Sequence, residues 1–292
     1  IDYTKKTSYG RIYPKKGLGL TAFRRLMRES FCWDIYADFD IQNCQPEIIC
    51  QLAEHHELPN SSLKKYCENR EKMIQETMDK YAVNKTQAKK LFTRLCFGGT
   101  FNGWKVDNDI EFKVKPTAFI EEYTRELNII INKVFDENPD IVKQCKAKHK
   151  KFIDSFYTTD LNICKGEDEI QDKLKKSTMG VFSQHIECSI VCDVLLYLKN
   201  NTKLLNHPQS STIMTGSYEY DGFRLLLKNV EKFKSQENDV PIVGIDAVLS
   251  LLNTITFDIT GYKLIWKHKP SQQEDIVDLS PHINTLHNKK SS

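Results

Sequence analysis

Tyr36-Ala37-Asp38-Phe39-Asp40 closes an apolar, β-prone run, and Tyr220-Asp221-Gly222-Phe223 again sets an acid among aromatics in a second strand-like segment far downstream. Side chains alternate faces along a strand, so Asp38 and Asp40 share one face and Phe39 takes the other. Two acidic strand ends brought side by side make a split site for hard divalent cations, which take carboxylate oxygens. An Asp-x-Asp alone is weak evidence, since acids commonly just terminate strands. What lies between the two segments raises its value.

Asn84 is a helix cap, and Ala88, Leu91, Phe92 and Leu95 then recur at helical spacing up to the Gly98-Gly99 break. Lys85 and Lys89 stand one turn apart on another face, with Arg94 and Phe97 following. Alone, they are an ordinary solvated lysine stripe. Between two carboxylate strands they suit the charge of a triphosphate, and the ordered set suggests phosphoryl transfer from a nucleotide.

Outward from these motifs the pattern is α+β. Residues 1–16 form an extended arm, Leu18 to Glu29 a helix, and Cys32 to Phe39 a strand. Helices follow from Pro46 to about Glu57, from a Ser61 or Ser62 cap to Tyr81, and over 116–151 with a break at Asn138-Pro139. Asp160 to Asp168 is a loop, and 171–200 is a long, buried helix. Thr212 to Tyr218 and Phe223 to Leu227 form a hairpin around Glu219–Gly222. Pro241 starts a helix to about Leu252, and Ile255 to Trp266 is a closing hairpin turned at Thr260-Gly261.

The 292 residues, 40% hydrophobic and 28% charged, suffice for a real core. No apolar run of about 18 residues is evident, so no transmembrane span or membrane partner is expected and the chain reads as soluble, with its scattered cysteines pointing to an intracellular setting. A start at Ile rather than Met suggests an excised piece. The net charge of +3 excludes an indiscriminate polycation, so basic clusters such as Lys5-Lys6, Arg24-Arg25 and Lys146–Lys151 matter only by position. Nine cysteines without a Cys-x-x-Cys pair fit reduced thiols better than a disulfide frame or structural zinc; Cys188 and Cys192 share a helix face.

Lys85-x-x-x-Lys89 followed by Phe97-Gly98 resembles the fingers helix of single-subunit phage RNA polymerases and family A DNA polymerases. Asp38 in Asp-Phe-Asp-Ile-Gln-Asn matches the first palm motif of that superfamily, and Asp221 matches the third, where Tyr220 replaces the usual His. With Tyr-Gly-Arg-Ile-Tyr-Pro-Lys at 9–15, the string is most similar to the transposon–virophage polymerase branch, whose members often carry a helicase domain after the polymerase. The resemblance covers about residues 9–266, with nothing to match over 111–175.

It implies a polymerase palm on a small antiparallel sheet (31–60 and 170–270), mostly helical fingers (61–169), an N-terminal arm and helix (1–30) and a polar tail (271–292) linking to a helicase. Asp38 and Asp221 would hold two Mg2+ ions, with Mn2+ as a substitute and Asp40 as a further ligand. Lys85, Lys89 and Arg94 would meet the triphosphate. Phe97 and Asn43 would frame the sugar, and both lean towards dNTPs, because Phe97 lacks a phenol to bond a 2′-hydroxyl. Arg11, Arg25, Gln184 and Glu187 would line the DNA template and primer. The expected activity is DNA polymerase or primase–polymerase, with RNA synthesis open and low processivity without a partner. Two rivals remain: a non-catalytic nucleic-acid module that keeps the fold for helicase loading, and a metal nuclease, which has no need of a triphosphate-gripping helix.

Overall fold

A computed structural model describes residues 3–15, 19–157, 163–207, 210–214, 216–237 and 240–270. The chain is α+β, with a small antiparallel sheet and a mostly helical remainder. It divides into two compact units, one of 1–6, 12–42 and 188–292, the other of 7–11 and 43–187.

The first unit is built on a four-stranded antiparallel sheet ordered Trp266–Lys269, Tyr36–Ile41, Gly222–Leu226, Ser217–Tyr218. Asp38 lies opposite Arg224 and Lys269, Phe39 opposite Phe223 and His268, and Asp40 opposite Gly222 and Lys267. Directly paired residues share a face, so the sheet is two-sided. Ala37, Phe39, Ile41, Phe223, Leu225 and Trp266 are all buried on one side. The helix Gly244–Thr260 supplies Ala247, Val248, Leu252 and Ile255 to this core, and the Trp266 indole N–H donates to Thr256 Oγ1 at 2.8 Å. The other side carries Asp38, Asp40, Arg224, Lys267 and Lys269.

The second unit is helical. Ile49, Leu63, Ile74, Leu91, Phe92, Tyr123 and Ile130, from five helices, form its main core. Cys44–His55 contributes Ile49, Cys50 and Ala53 to that core, so this helix belongs with the second unit, while the strand Tyr36–Ile41 before it belongs with the first. The 39-residue helix Ile163–Asn201 passes from one unit to the other at Glu187/Cys188.

Several expected elements differ. Leu18–Glu29 is not one helix but a 3-10 turn, Leu20–Ala22, and a helix, Arg25–Cys32, because Arg24 is extended. The stretch to Tyr81 breaks at Asn69 into Ser61–Glu68 and Arg70–Tyr81. The cap of the first of these is neither serine: buried Glu126 accepts from the backbone N–H groups of Ser62 and Leu63. A third helix, Lys150–Tyr157, ends the 116–151 region, and the expected loop at 160–168 is helical from Ile163, its earlier residues lying outside the described set. Pro241 lies in the strand Val240–Val243, ahead of the helix it was expected to start. The closing hairpin is absent: Ile255–Thr260 ends a helix, and Gly261, at φ 73°, is its left-handed C-terminal stop. The strand after it pairs with the Asp38 strand instead.

One helix, Gly166–Asn201, is long and apolar enough to cross a membrane by length and composition alone, although Gln184, His185, Glu187 and Asp193 interrupt its apolar residues. It also carries buried Thr178, Ser183 and Glu187 and packs Met179, Val191, Val194 and Leu198 inside the protein.

Candidate active site

The acidic face of the first unit is organised by one buried cation. Arg224 is fully enclosed and donates to three carboxylates: Glu219 Oε1 at 2.6 Å, Glu29 Oε1 at 2.6 Å and Asp38 Oδ2 at 2.9 Å. Arg28 meets the second oxygen of Glu219 at 3.2 Å. A guanidinium fork suits this work, because its donors point in fixed, planar directions. Asp38 is left with Oδ1 buried and without a hydrogen-bond partner. Burial outweighs the pull of Arg224 and Lys269 and pushes the Asp38 carboxyl above its ordinary value; burial likewise raises Glu219 against Arg224 and Arg28.

Asp40, on the same face, is buried and paired with Lys269. It leaves no room for a side chain opposite. A Cβ on Gly222 would lie 2.2 Å from Phe39 O and 2.3 Å from Asp40 Oδ1, so the glycine after Asp221 is a packing requirement.

Asp221 sits in the two-residue turn that joins the last two strands, where Glu219 and Gly222 exchange backbone hydrogen bonds at 2.9 and 3.3 Å. Its carbonyl accepts from Ile41 N–H at 2.9 Å, which fixes the turn beside the end of the Asp38 strand. Tyr220 holds a φ of 62°, a strained conformation for an aromatic residue and one that often marks a functional turn.

The cationic helix is in the second unit. Lys85–Cys96 starts with a complete capping box, Asn84 and Gln87 each accepting from the other's backbone at 2.9 Å. Ala88, Leu91, Phe92, Leu95 and Cys96 face the core. Lys85 pairs with Glu71 at 2.7 Å, and Arg70 meets the same carboxylate at 2.8 Å. Lys89 has no ion pair among the described residues; burial, then Arg70 and Lys85, lower its ammonium from the ordinary lysine value. Two cations therefore share one carboxylate with a third, Lys89, nearby, an excess that favours an added anion.

Arg94 stands apart from this cluster. It pairs with Asp107 and lies against Gly99 and Gly103, where added Cβ atoms would meet Arg94 Cγ at 2.2 Å and Arg94 Nη2 at 3.2 Å. Its visible work is to hold the loop after the helix. Phe97 is the half-buried C-cap, and Asn43, at φ 55°, opens the Cys44–His55 helix beside Glu47. Arg11 and Glu187 bond each other at 2.7 Å, and Gln45 takes the second Glu187 oxygen. Glu187 is 1% exposed, so it anchors the N-terminal arm rather than offering a surface to a ligand. Gln184 is half-buried and Arg25 exposed.

The sequence reading missed Arg224, Glu29, Glu219, Lys269 and Arg70. Arg224 had left a signal: a lone cation between Phe223 and Leu225 in an apolar strand, on the parity of the acidic face.

Among the described residues, no group of three or more His, Cys, Asp and Glu side chains converges as a metal cage. The donors still fit Mg2+, which is commonly held by one or two carboxylates together with substrate phosphates, and the unpartnered Asp38 Oδ1 is such a donor.

No family model matches the chain. It is 29% identical over 151 residues to the Sputnik virophage protein named "Putative helicase V13", a match covering 49% of this chain and 19% of that protein. The chain thus spans about a fifth of that relative.

Proposed function

We propose that the chain catalyses template-directed nucleotidyl transfer, as a DNA polymerase or primase–polymerase of a viral or mobile element. The observation that carries this reading is Asp38, a buried carboxylate with an unpartnered oxygen on the same sheet face as Asp40, beside the strained turn bearing Asp221. Asp38 and Asp221, with Asp40, would hold two divalent ions. When bound, such ions activate a 3′-hydroxyl and neutralise the leaving pyrophosphate.

The chain's own residues do the rest. Arg224, locked to Asp38 Oδ2, fixes that carboxylate so its other oxygen is presented without reorganisation. Lys85 and Lys89, with Arg70, receive the triphosphate charge; Phe97 and Asn43 frame the sugar; Arg94 is the weaker phosphate contact. Arg25, exposed on its helix, and half-buried Gln184 would meet nucleic acid, and Arg11 would reach it only by giving up part of its bond to Glu187. The virophage relative supports a viral setting, and its name supports a helicase joined to or working with this chain.

One observation favours a second reading. Arg224 and Lys269 already neutralise Asp38 and Asp40, which suits a non-catalytic nucleic-acid module that keeps the fold for helicase loading. Extension of a labelled primer–template with Mg2+ separates the two, using dNTPs or NTPs, with and without primer, beside Asp221→Ala. Templated extension lost in the variant is expected; salt-sensitive binding without extension in the unaltered chain would give the second reading preference.

A further inference from the structure

The helix that leads out of the second unit carries two cysteines, Cys188 and Cys192, that neither the proposed chemistry nor the core explains as a pair. They stand one turn apart in the first unit, and their Sγ atoms are 3.9 Å apart, in contact. Cys188 is 1% exposed and Cys192 half-buried, so a reagent arriving from solvent meets Cys192 first. Around Cys188 are the Tyr218 hydroxyl, the Ile12 backbone N–H and the Lys5 ammonium. All three favour a sulfur anion, and none is a metal-ligating partner that would complete a cation site.

We propose that Cys188 and Cys192 form a dithiol modification site that reacts with low-molecular-weight disulfides and closes to an intrahelical disulfide. The site goes beyond the nucleotidyl-transfer reading and does not depend on it. The Cys188 thiol is lowered to about 6, first by the hydrogen bond to Cys192, then, against burial, by Tyr218, Ile12 and Lys5. The proton the pair retains lies on the Cys188–Cys192 contact.

The exchange runs in two steps. The half-exposed Cys192, whose own thiol that hydrogen bond raises, passes the shared proton to Cys188 and, as thiolate, attacks one sulfur of the small disulfide, forming a mixed disulfide and expelling one small thiolate. Cys188, as thiolate, then attacks the Cys192 sulfur of that mixed bond, forming the Cys188–Cys192 disulfide and expelling the second small thiolate. The one proton the pair retained leaves Cys188 before the second attack, the cysteines lose two electrons, and the small disulfide gains them.

Helix geometry sets the character of the product. Residues four apart have Cα atoms about 6 Å apart, inside the disulfide range, but Cβ atoms about 5–6 Å apart against the roughly 3.8 Å that a disulfide takes. Closure must tighten one helical turn, so the bond forms under strain and is readily reduced, the property of a reversible site rather than a structural bridge.

The test is to treat the intact, folded chain with 2,2′-dipyridyl disulfide and digest it with trypsin. Both cysteines fall in the single peptide 177–199. The expected product is that peptide about 2 Da lighter with no pyridyl adduct, two thiopyridones released, and return to the starting mass with excess small thiol. In Cys188→Ser the reaction should stop at a pyridyl adduct on Cys192. In the unaltered chain, a lasting adduct on Cys192 with Cys188 still reduced would overturn the proposal, as would modification of other cysteines while this peptide stays unchanged. The unaltered chain alone decides the question, so it does not rest on how the variant folds.

Discussion

The acidic sheet and the cationic helix carry opposite charge, and they are built by opposite means. Around the sheet, Glu29 from a helix, Asp38 from a strand and Glu219 from a turn are drawn inward onto one enclosed arginine, and every member is held by at least one other. On the helix, Lys85, Lys89 and Arg70 sit near the surface around one exposed carboxylate, and the fold of the helix rests on its apolar face and capping box. The difference teaches where each charge does its work. Buried acids are positioned in advance, at a cost in desolvation offset by Arg224, whereas the lysines are free to rearrange onto a ligand.

The sharpest way to break this contrast is to remove the centre of the sheet network. Arg224→Met should destabilise the protein by about 3–5 kcal/mol at neutral pH, because three carboxylates lose their shared partner while still buried. Urea denaturation measures it, and the loss should shrink in acid as those carboxylates protonate. A loss below about 1 kcal/mol, the scale of a surface pair, would erase the distinction between the two regions.

Gly222→Ala tests the close approach behind Asp40. Its added methyl should cost about 1–3 kcal/mol, since the atoms in the way are the Phe39 carbonyl and the Asp40 carboxylate and not a flexible side-chain end. Denaturation of this variant beside Gly180→Ala, whose Cβ meets nothing within 4 Å, isolates the contact.

The pH dependence follows from the raised carboxyls. A folded-state value above the unfolded one means that the native protein binds more protons, so these groups favour the fold in acid and lose that contribution as pH rises through the raised value. Asp38 and Glu219 therefore predict stability that declines upwards from their ordinary values of 3.8 and 4.5. Asp38→Asn, which cannot ionise, should flatten that decline in denaturation series from pH 4 to 7. An unchanged slope would contradict the assignment for Asp38.

The smallest effect belongs to the helix. Lys85→Ala should alter stability by less than about 1 kcal/mol, because its pair with Glu71 is exposed on both sides. On the proposed reading it should instead raise the KM for nucleotide, a split that steady-state incorporation kinetics would display.

Much of this was legible in the sequence where the signal is local. Period-two alternation gave the shared face of Asp38 and Asp40, and Asn84 with the Ala88, Leu91, Phe92 and Leu95 spacing gave the cationic helix and its start. Beyond the neighbouring of the two acidic strands, non-local pairing was not legible. Nothing near Ser61 announces that Glu126 caps its helix, and nothing near Trp266 tells that its strand pairs with Asp38's strand and not with a hairpin partner. The same holds within the candidate site. Glu29 and Arg224 are 195 residues apart and meet only through the sheet, so a motif scan sees the acids and misses the cation that organises them.

On the proposed reading the acidic face does chemistry on a nucleotide, and Asp38→Asn tests this most directly, because the amide keeps an oxygen for Arg224 while removing the charge. Single-turnover templated incorporation with Mg2+ should fall by roughly a thousandfold or more, about 4 kcal/mol of barrier, with the fold retained and template binding unchanged. Incorporation at an unaltered rate in that folded variant would contradict the account.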